Sequence, residues 1–228
     1  MASRESETEG ILVAIDGPAG SGKSSVARAV AERLGVVNLN TGATYRAVAL
    51  AALRENVLPS DGATLAEIAR RVELEGETVS LDGAAVPERE LRSPEVSAAA
   101  SKVSSRPELR EVLVRVQRAA AKKARAEGGA VVEGRDIGTV VLPDADLKIF
   151  LSASAEERAR RRAAQSGREW ELDRITEAMK RRDRQDTERA ASPLKPAEDA
   201  IALDTTSMTL DDVATDILHL AQALGKES

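Results

Sequence analysis

Apolar and polar positions along the chain alternate between two rhythms. Short apolar runs at residues 10–16, Val36–Leu39, Ala130–Glu133, Leu147–Leu151 and Ala200–Leu203 have the length of buried strands. Between them, apolar residues recur every three or four positions. One such stretch leads to about Leu34, where Gly35 ends it, and another runs from Thr41-Gly42 to about Glu55. A short helix is predicted near Leu65–Arg70, after the loop Pro59-Ser60-Asp61-Gly62. Leu109, Val112, Leu113, Val116, Ala119 and Ala120 form one stripe, which predicts a helix over residues 107–126. Ser154 caps a helix that begins Glu156-Glu157, acidic residues suited to a helix N-terminus. A second charged helix covers about Glu171–Glu188, and Thr209 caps a last one with Leu210, Val213, Ala214, Ile217 and Leu224 on one face.

Strands alternating with helices predict an α/β fold with a parallel sheet covered on both sides. One stretch departs from that rhythm. Val72–Glu75, Thr78–Leu81 and Ala85-Val86 are short and alternating, separated by Glu75-Gly76-Glu77 and Asp82-Gly83. They predict a small antiparallel meander within an inserted subdomain. No internal repeat or low-complexity linker interrupts the pattern.

Composition narrows the class. The chain has 228 residues, enough for one α/β domain with insertions, and a formal net charge of -5. Its aromatic residues are Tyr45, Phe150 and Trp170 alone, so it has neither the basic surface nor the stacking rings of a general nucleic-acid binder. It has no cysteine, which excludes disulfides, thiolate metal sites and thiol nucleophiles. No apolar run approaches the roughly 20 residues of a membrane span. The start, MASRESETEG, is polar and lacks the apolar centre of a signal peptide. The expectation is a cytoplasmic enzyme with a disordered tail at residues 1–9 and a single domain over 10–228.

The first strand leads into GPAGSGKSS, which reads G-x-x-x-x-G-K-S from Gly17 to Ser24. Its glycines let backbone N–H groups turn inward around a polyphosphate, and the following helix adds partial positive charge. Gly17, Pro18, Ala19, Gly20, Ser21, Gly22, Lys23, Ser24 and Ser25 are thus the candidate ATP loop. Lys23 would reach the β- and γ-phosphates, and the Ser24 hydroxyl would ligate Mg²⁺. The loop alone does not separate a kinase from a GTPase or an ATP-driven motor. There is no N-K-x-D with which to read guanine.

A kinase needs a second pocket, lined with cations if its acceptor is a phosphate. NTGATYR (Asn40–Arg46), EGRDIGTVV (Glu133–Val141), SAEERARRR (Ser154–Arg162) and RRDRQDTER (Arg181–Arg189) supply candidates. Between Glu156 and Arg189 there are 11 Arg and Lys against 9 Asp and Glu, leaving 22 against 29 elsewhere. Arginine is therefore concentrated in one segment of an acidic protein. Most of these side chains suit i,i+4 ion pairs on a solvated helix, and a minority suit phosphate, which a guanidinium can bind through two oxygens at once.

On these segments, together with S-P-L-K-P-A-x-D-A, the sequence resembles the bacterial cytidylate kinases, the (d)CMP kinases of the nucleoside monophosphate kinase group, from Ile11 to Leu224. Adenylate kinases would show T-G-D in place of Thr41-Gly42-Ala43 and would lack the insertion. The resemblance implies a P-loop three-layer fold with a monophosphate-binding subdomain at about 41–105 and a lid at about 154–170. It implies ATP-dependent phosphorylation of CMP or dCMP with Mg²⁺, by a monomer that binds no nucleic acid and no membrane. It further implies that Arg46, Arg135 and Arg189 hold the CMP phosphate, that Ser101, Arg110 and Asp136 read cytosine, and that Tyr45, Arg182 and Asp186 lie along the base and sugar, with Thr41 beside them. Arg158, Arg161 and Arg162 would close on the transferred group, which with Lys23, Arg135 and Arg189 makes Arg162 a catalytic candidate. Two positions depart from the family: Asn40 stands where Asp is usual, and Ala19 where some members have serine. A kinase for UMP or another small acceptor, and a regulatory module that hydrolyses ATP slowly, remain as alternatives. His219 falls on the solvent face of the last helix and receives no role.

Overall fold

In a computed structural model, residues 10–224 are described apart from residues 168 and 190. The tail expected at residues 1–9 lies outside the described residues. The first half runs β1 (Ile11–Asp16), α1 (Lys23–Leu34), β2 (Val37–Asn40), α2 (Thr41–Arg54) and α3 (Gly62–Ala69). The insertion follows as β3 (Val72–Glu75), β4 (Thr78–Leu81) and β5 (Ala84–Ala85), then α4 (Glu88–Leu91), α5 (Pro94–Val103) and α6 (Pro107–Ala126). The second half comprises β6 (Gly129–Glu133), a π-helical turn at Ile137–Val141, β7 (Leu147–Ser152), α7 (Ala155–Ser166), a 3-10 turn at Glu169–Glu171, α8 (Leu172–Glu188), β8 (Ile201–Asp204) and α9 (Leu210–Leu224).

The main sheet has the order β2-β6-β1-β7-β8, and every pairing is parallel. β1 sits in its middle and is buried on both faces, so its sequence is a continuous apolar run. Leu12 and Ala14 point into one core with Val48 and Leu50 of α2, Leu65 and Ile68 of α3, and Leu109 and Leu113 of α6. Val13 and Ile15 point into the other, with Val26 and Val30 of α1 and Val213 and Ile217 of α9. Two helical layers therefore sandwich the sheet. Helix ends are fixed locally: Gly35 ends α1 in the left-handed conformation at φ 69°, and Asn40 Oδ1 caps α2 by accepting from the Ala43 amide at 3.1 Å.

β3, β4 and β5 form the expected antiparallel meander, with the last strand one residue earlier than the pattern implied. The meander is fastened to the main domain through its hairpin. Glu77 accepts from Arg28 Nε of α1 at 3.0 Å and from Asn38 Nδ2 of β2 at 2.8 Å.

α4, α5 and the π-helical turn do not stand out in the pattern. The buried stripe of α5 is Val96, Ala100 and Val103, too rich in small residues to be conspicuous, although Ser93 caps it through the Val96 amide at 3.2 Å. α7 and α8 pack on each other through Ala159, Ala163, Ile175 and Met179, and Ala19 of the phosphate loop packs against that cluster. Among the described residues no helix is long and apolar enough to cross a membrane. His219 and Trp170 are exposed.

Candidate active site

The carboxyl ends of the parallel strands surround one cavity of about 890 Å³, where an open α/β sheet places its ligands. The phosphate loop forms one wall, between β1 and α1. Gly20 is at φ +76°, and a Cβ there would come 2.7 Å from Met179 Cε and 2.9 Å from the Arg158 carbonyl oxygen. Only glycine lets α7 and α8 rest on the loop. Lys23 is buried and folds back, donating from Nζ to the Pro18 carbonyl at 2.6 Å and to Ser21 Oγ at 3.4 Å. Burial holds its ammonium well below the usual lysine value, Arg135 pushes the same way, and Glu133 and Asp16 oppose them.

Ser24 Oγ donates to Glu133 Oε2 at 2.8 Å, and Glu133 Oε1 is buried with no hydrogen-bond partner among the described residues. Thr41 Oγ1 donates to the Glu133 carbonyl at 2.7 Å. A hydroxyl and a carboxylate with an uncommitted oxygen, both beside the phosphate loop, are the hard oxygen donors that Mg²⁺ prefers. No cluster of three or more acidic or His side chains fit for a metal occurs among the described residues. Mg²⁺ does not need one, because it keeps waters and takes its other ligands from phosphates.

The opposite wall is cationic. Arg110 is buried on α6 with all three nitrogens engaged. Nη2 donates to Asp136 Oδ2, Nη1 to the Ser104 carbonyl at 3.2 Å and Nε to Ser192 Oγ at 3.3 Å. Its Cζ lies 5.4 Å from the centre of the Tyr45 ring. Tyr45 is both a packed core ring and a cavity wall, and burial pushes its hydroxyl up to about 12. Arg135 Nε donates to Asp186 Oδ2 at 3.0 Å, and Arg189 Nη2 lies 3.8 Å from Asp136 Oδ1. Ser101 Oγ of α5 donates across the cavity to Gln185 Oε1 of α8 at 3.1 Å.

Three of these arginines are short of partners. Arg46 Nε, Arg182 Nε and Arg189 Nη2 are buried with no hydrogen-bond partner among the described residues. Burial pulls Arg46 down to about 10, with Arg92 adding repulsion; burial pulls Arg182 to about 10, with Arg135 adding repulsion. Burial, then Arg110, lowers Arg189 too. Buried cations with unsatisfied donors are a site for a multiply charged oxyanion.

Most residues singled out from sequence meet in this cavity: Ala19 to Ser25, Thr41, Tyr45, Arg46, Ser101, Arg110, Arg135, Asp136, Arg161, Arg162, Arg182, Asp186 and Arg189. Gly17, Pro18 and Arg158 do not line it. Arg158 Nη1 donates instead to the Ala19 carbonyl at 3.0 Å and pairs with Asp183. Arg161 donates to Thr205 Oγ1 at 3.0 Å and to its carbonyl at 2.6 Å. It thereby joins α7 to the loop after β8, where Thr205, Met208, Leu210 and Val213 complete the phosphate-loop end of the cavity.

Sequence reasoning missed that loop, Glu133 and Asp16. Asp16 is buried at the end of β1, where its carboxylate accepts from the Ile137 and Gly138 amides at 2.8 and 2.7 Å. Burial pushes it up to about 6, against those two hydrogen bonds. The available signal was an acidic residue ending an apolar strand, which Asp16 and Glu133 share.

The family model described as cytidylate kinase matches residues 13–223 of this chain. Curated relatives named cytidylate kinase include one from Desulfitobacterium hafniense, 48% identical over 218 residues and 92% of both chains. Another, from Corynebacterium glutamicum, is 46% identical over 228 residues, 96% of this chain and 97% of its own. An uncharacterized protein from Eubacterium ventriosum shares the fold, with a TM-score of 0.52 at 14% identity over 93% of this chain and 98% of that one.

Proposed function

The chain belongs to the cytidylate kinase family, and from that premise we propose that it transfers the γ-phosphoryl group of ATP to CMP or dCMP within this cavity. The carrying observation is the pairing of a phosphate loop on one wall with under-partnered arginines and the Arg110–Asp136 pair on the other. ATP takes the loop Gly17–Ser25, with its base toward Arg161 and the Thr205–Leu210 segment. CMP takes the far wall, its phosphate met by Arg46, Arg135 and Arg189 and its sugar by Arg182 and Asp186. Residues of about 41–105 carry Arg46 and Ser101 to that wall, and the segment of about 154–170, with α7, acts as the lid. Arg158 serves as a tie between lid and phosphate loop.

Cytosine offers an N4 donor beside N3 and O2 acceptors. Asp136 accepts from N4, while Arg110 and Ser101 donate to the acceptors. Uracil carries O4 at that edge and would meet the carboxylate with no proton between them. The attacking CMP oxygen is already anionic, so the reaction needs no general base. Catalysis is positioning and charge neutralisation by Lys23 and the arginines, with water excluded by the lid. Ser24 and Glu133 would hold a divalent cation, which when bound neutralises the β- and γ-phosphates.

The test is ADP release from ATP and Mg²⁺ with CMP, dCMP, UMP, AMP or no acceptor. Turnover with CMP and dCMP, weak turnover with UMP and none without acceptor is the expected result. Equal release with and without every acceptor would overturn the assignment of the cationic wall.

A further inference from the structure

The GRD loop, Gly134-Arg135-Asp136, carries two residues of the acceptor wall, yet its own strand ends at Glu133. Its two ends are tied to the last two residues of β1. The Gly134 amide donates to the Ile15 carbonyl at 3.0 Å. The Ile137 and Gly138 amides donate to Asp16 Oδ1 and Oδ2 at 2.8 and 2.7 Å. Arg135 and Asp136 project from between these ties. The residue after Asp16 is Gly17, where the phosphate loop starts.

We propose that Asp16 is a positioning residue that sets the acceptor loop in register with the phosphate loop. The inference rests on the reading of Asp136 as part of the CMP wall. Three features support it. The Asp16 carboxylate is outside the cavity lining, so it acts through the loop rather than on a substrate. Each of its oxygens takes one amide, a division that only a carboxylate can make. Gly138 also sits against both neighbours from behind: a Cβ there would lie 3.5 Å from Asp16 Oδ2 and 3.2 Å from Lys148 Cδ. The turn held this way is a π-helical one, a rare form that is frequent at functional sites.

Asp16→Asn keeps the shape but turns an NH₂ group toward one of the two amides, so one tie is lost and a donor faces a donor. Loosening that end of the loop should raise KM for CMP about tenfold while leaving KM for ATP within about twofold, the size of effect that one lost buried hydrogen bond produces. Equal rises in both KM values would make Asp16 a general structural residue and overturn the inference, as would no change in either. Asp136→Asn run alongside separates the two readings. If it weakens CMP and Asp16→Asn does not, only the positioning role falls; if neither does, the assignment of the loop to the acceptor falls as well. Should Asp16→Asn fail to fold, amide exchange in the unaltered enzyme decides. The Ile137 and Gly138 amides should be protected before any CMP is added. Protection that appears only with CMP would mean that the substrate, not Asp16, orders the turn.

Discussion

Replacing Asp136 by asparagine tests most directly the proposal that the Arg110–Asp136 pair reads the base. The Arg110 and Asp136 side chains are 5% and 7% exposed, so the pair is desolvated. Breaking a buried pair destabilises by about 3–5 kcal/mol. The introduced amide would keep an oxygen for Arg110 Nη2, and the Ser104 carbonyl and Ser192 hydroxyl would remain in place. The expected loss is therefore at or just below the bottom of that range, about 2–3 kcal/mol, which a domain stable by about 5–15 kcal/mol survives. Specificity should change as well. With the amide in place, cytosine N4 meets an NH₂ donor while uracil O4 gains one. An unpaired buried donor costs about 1–3 kcal/mol, which is roughly 5- to 150-fold in the ratio of kcat/KM for CMP over UMP. The assay is that ratio at saturating ATP, with urea unfolding of the same preparations. A fall in stability with an unchanged ratio would show that Asp136 is only a counter-ion for Arg110 and that the base is read elsewhere.

Two further outcomes follow from buried charges. Lys23→Met removes an ammonium that is 6% exposed and has carbonyl and hydroxyl acceptors rather than an anion, so the melting temperature should hold or rise while kcat falls about 10²–10³-fold. A parallel loss of stability would refute that account. Asp16 has its folded pKa raised from 3.8 to about 6, so between these values the folded state holds a proton that the unfolded state lacks. Its contribution therefore becomes more favourable as pH falls from about 7 to about 4, by up to about 3 kcal/mol at 1.36 kcal/mol per unit. Urea unfolding of the unaltered protein and Asp16→Asn across that window should show the difference shifting toward the unaltered protein in acid; a constant difference would refute it.

The phosphate loop was legible because its information is local: fixed spacings between Gly17 and Ser24, a strand before and a helix after. The GRD loop was legible as a candidate for a similar reason, since Arg135 and Asp136 follow directly on a buried strand. Glu133 and Asp16 were not, because their roles depend on strand order. Only the placing of β6 beside β1 brings Glu133 within 2.8 Å of Ser24 Oγ and the Ile137 amide within 2.8 Å of Asp16. The arginines of α7 show the limit of composition. Arg158, Arg161 and Arg162 look alike in sequence, yet Arg158 reaches the Ala19 carbonyl and Asp183 while Arg161 reaches Thr205. α5 was missed because alanine carries little of the contrast on which periodicity depends.

The clasp at Glu77 exposes one attachment of the insertion to the medium. Arg28 and Glu77 are 57% and 46% exposed, so the pair that fastens the meander to α1 is open to solvent ions. Such pairs are worth about 0–1 kcal/mol and weaken as the screening length falls to about 8 Å at physiological salt. That one polar tie between the insertion and the first helix is thereby graded by ionic strength, whereas Val72, Leu74 and Val79 of the same insertion are buried in the core, out of reach of dissolved ions.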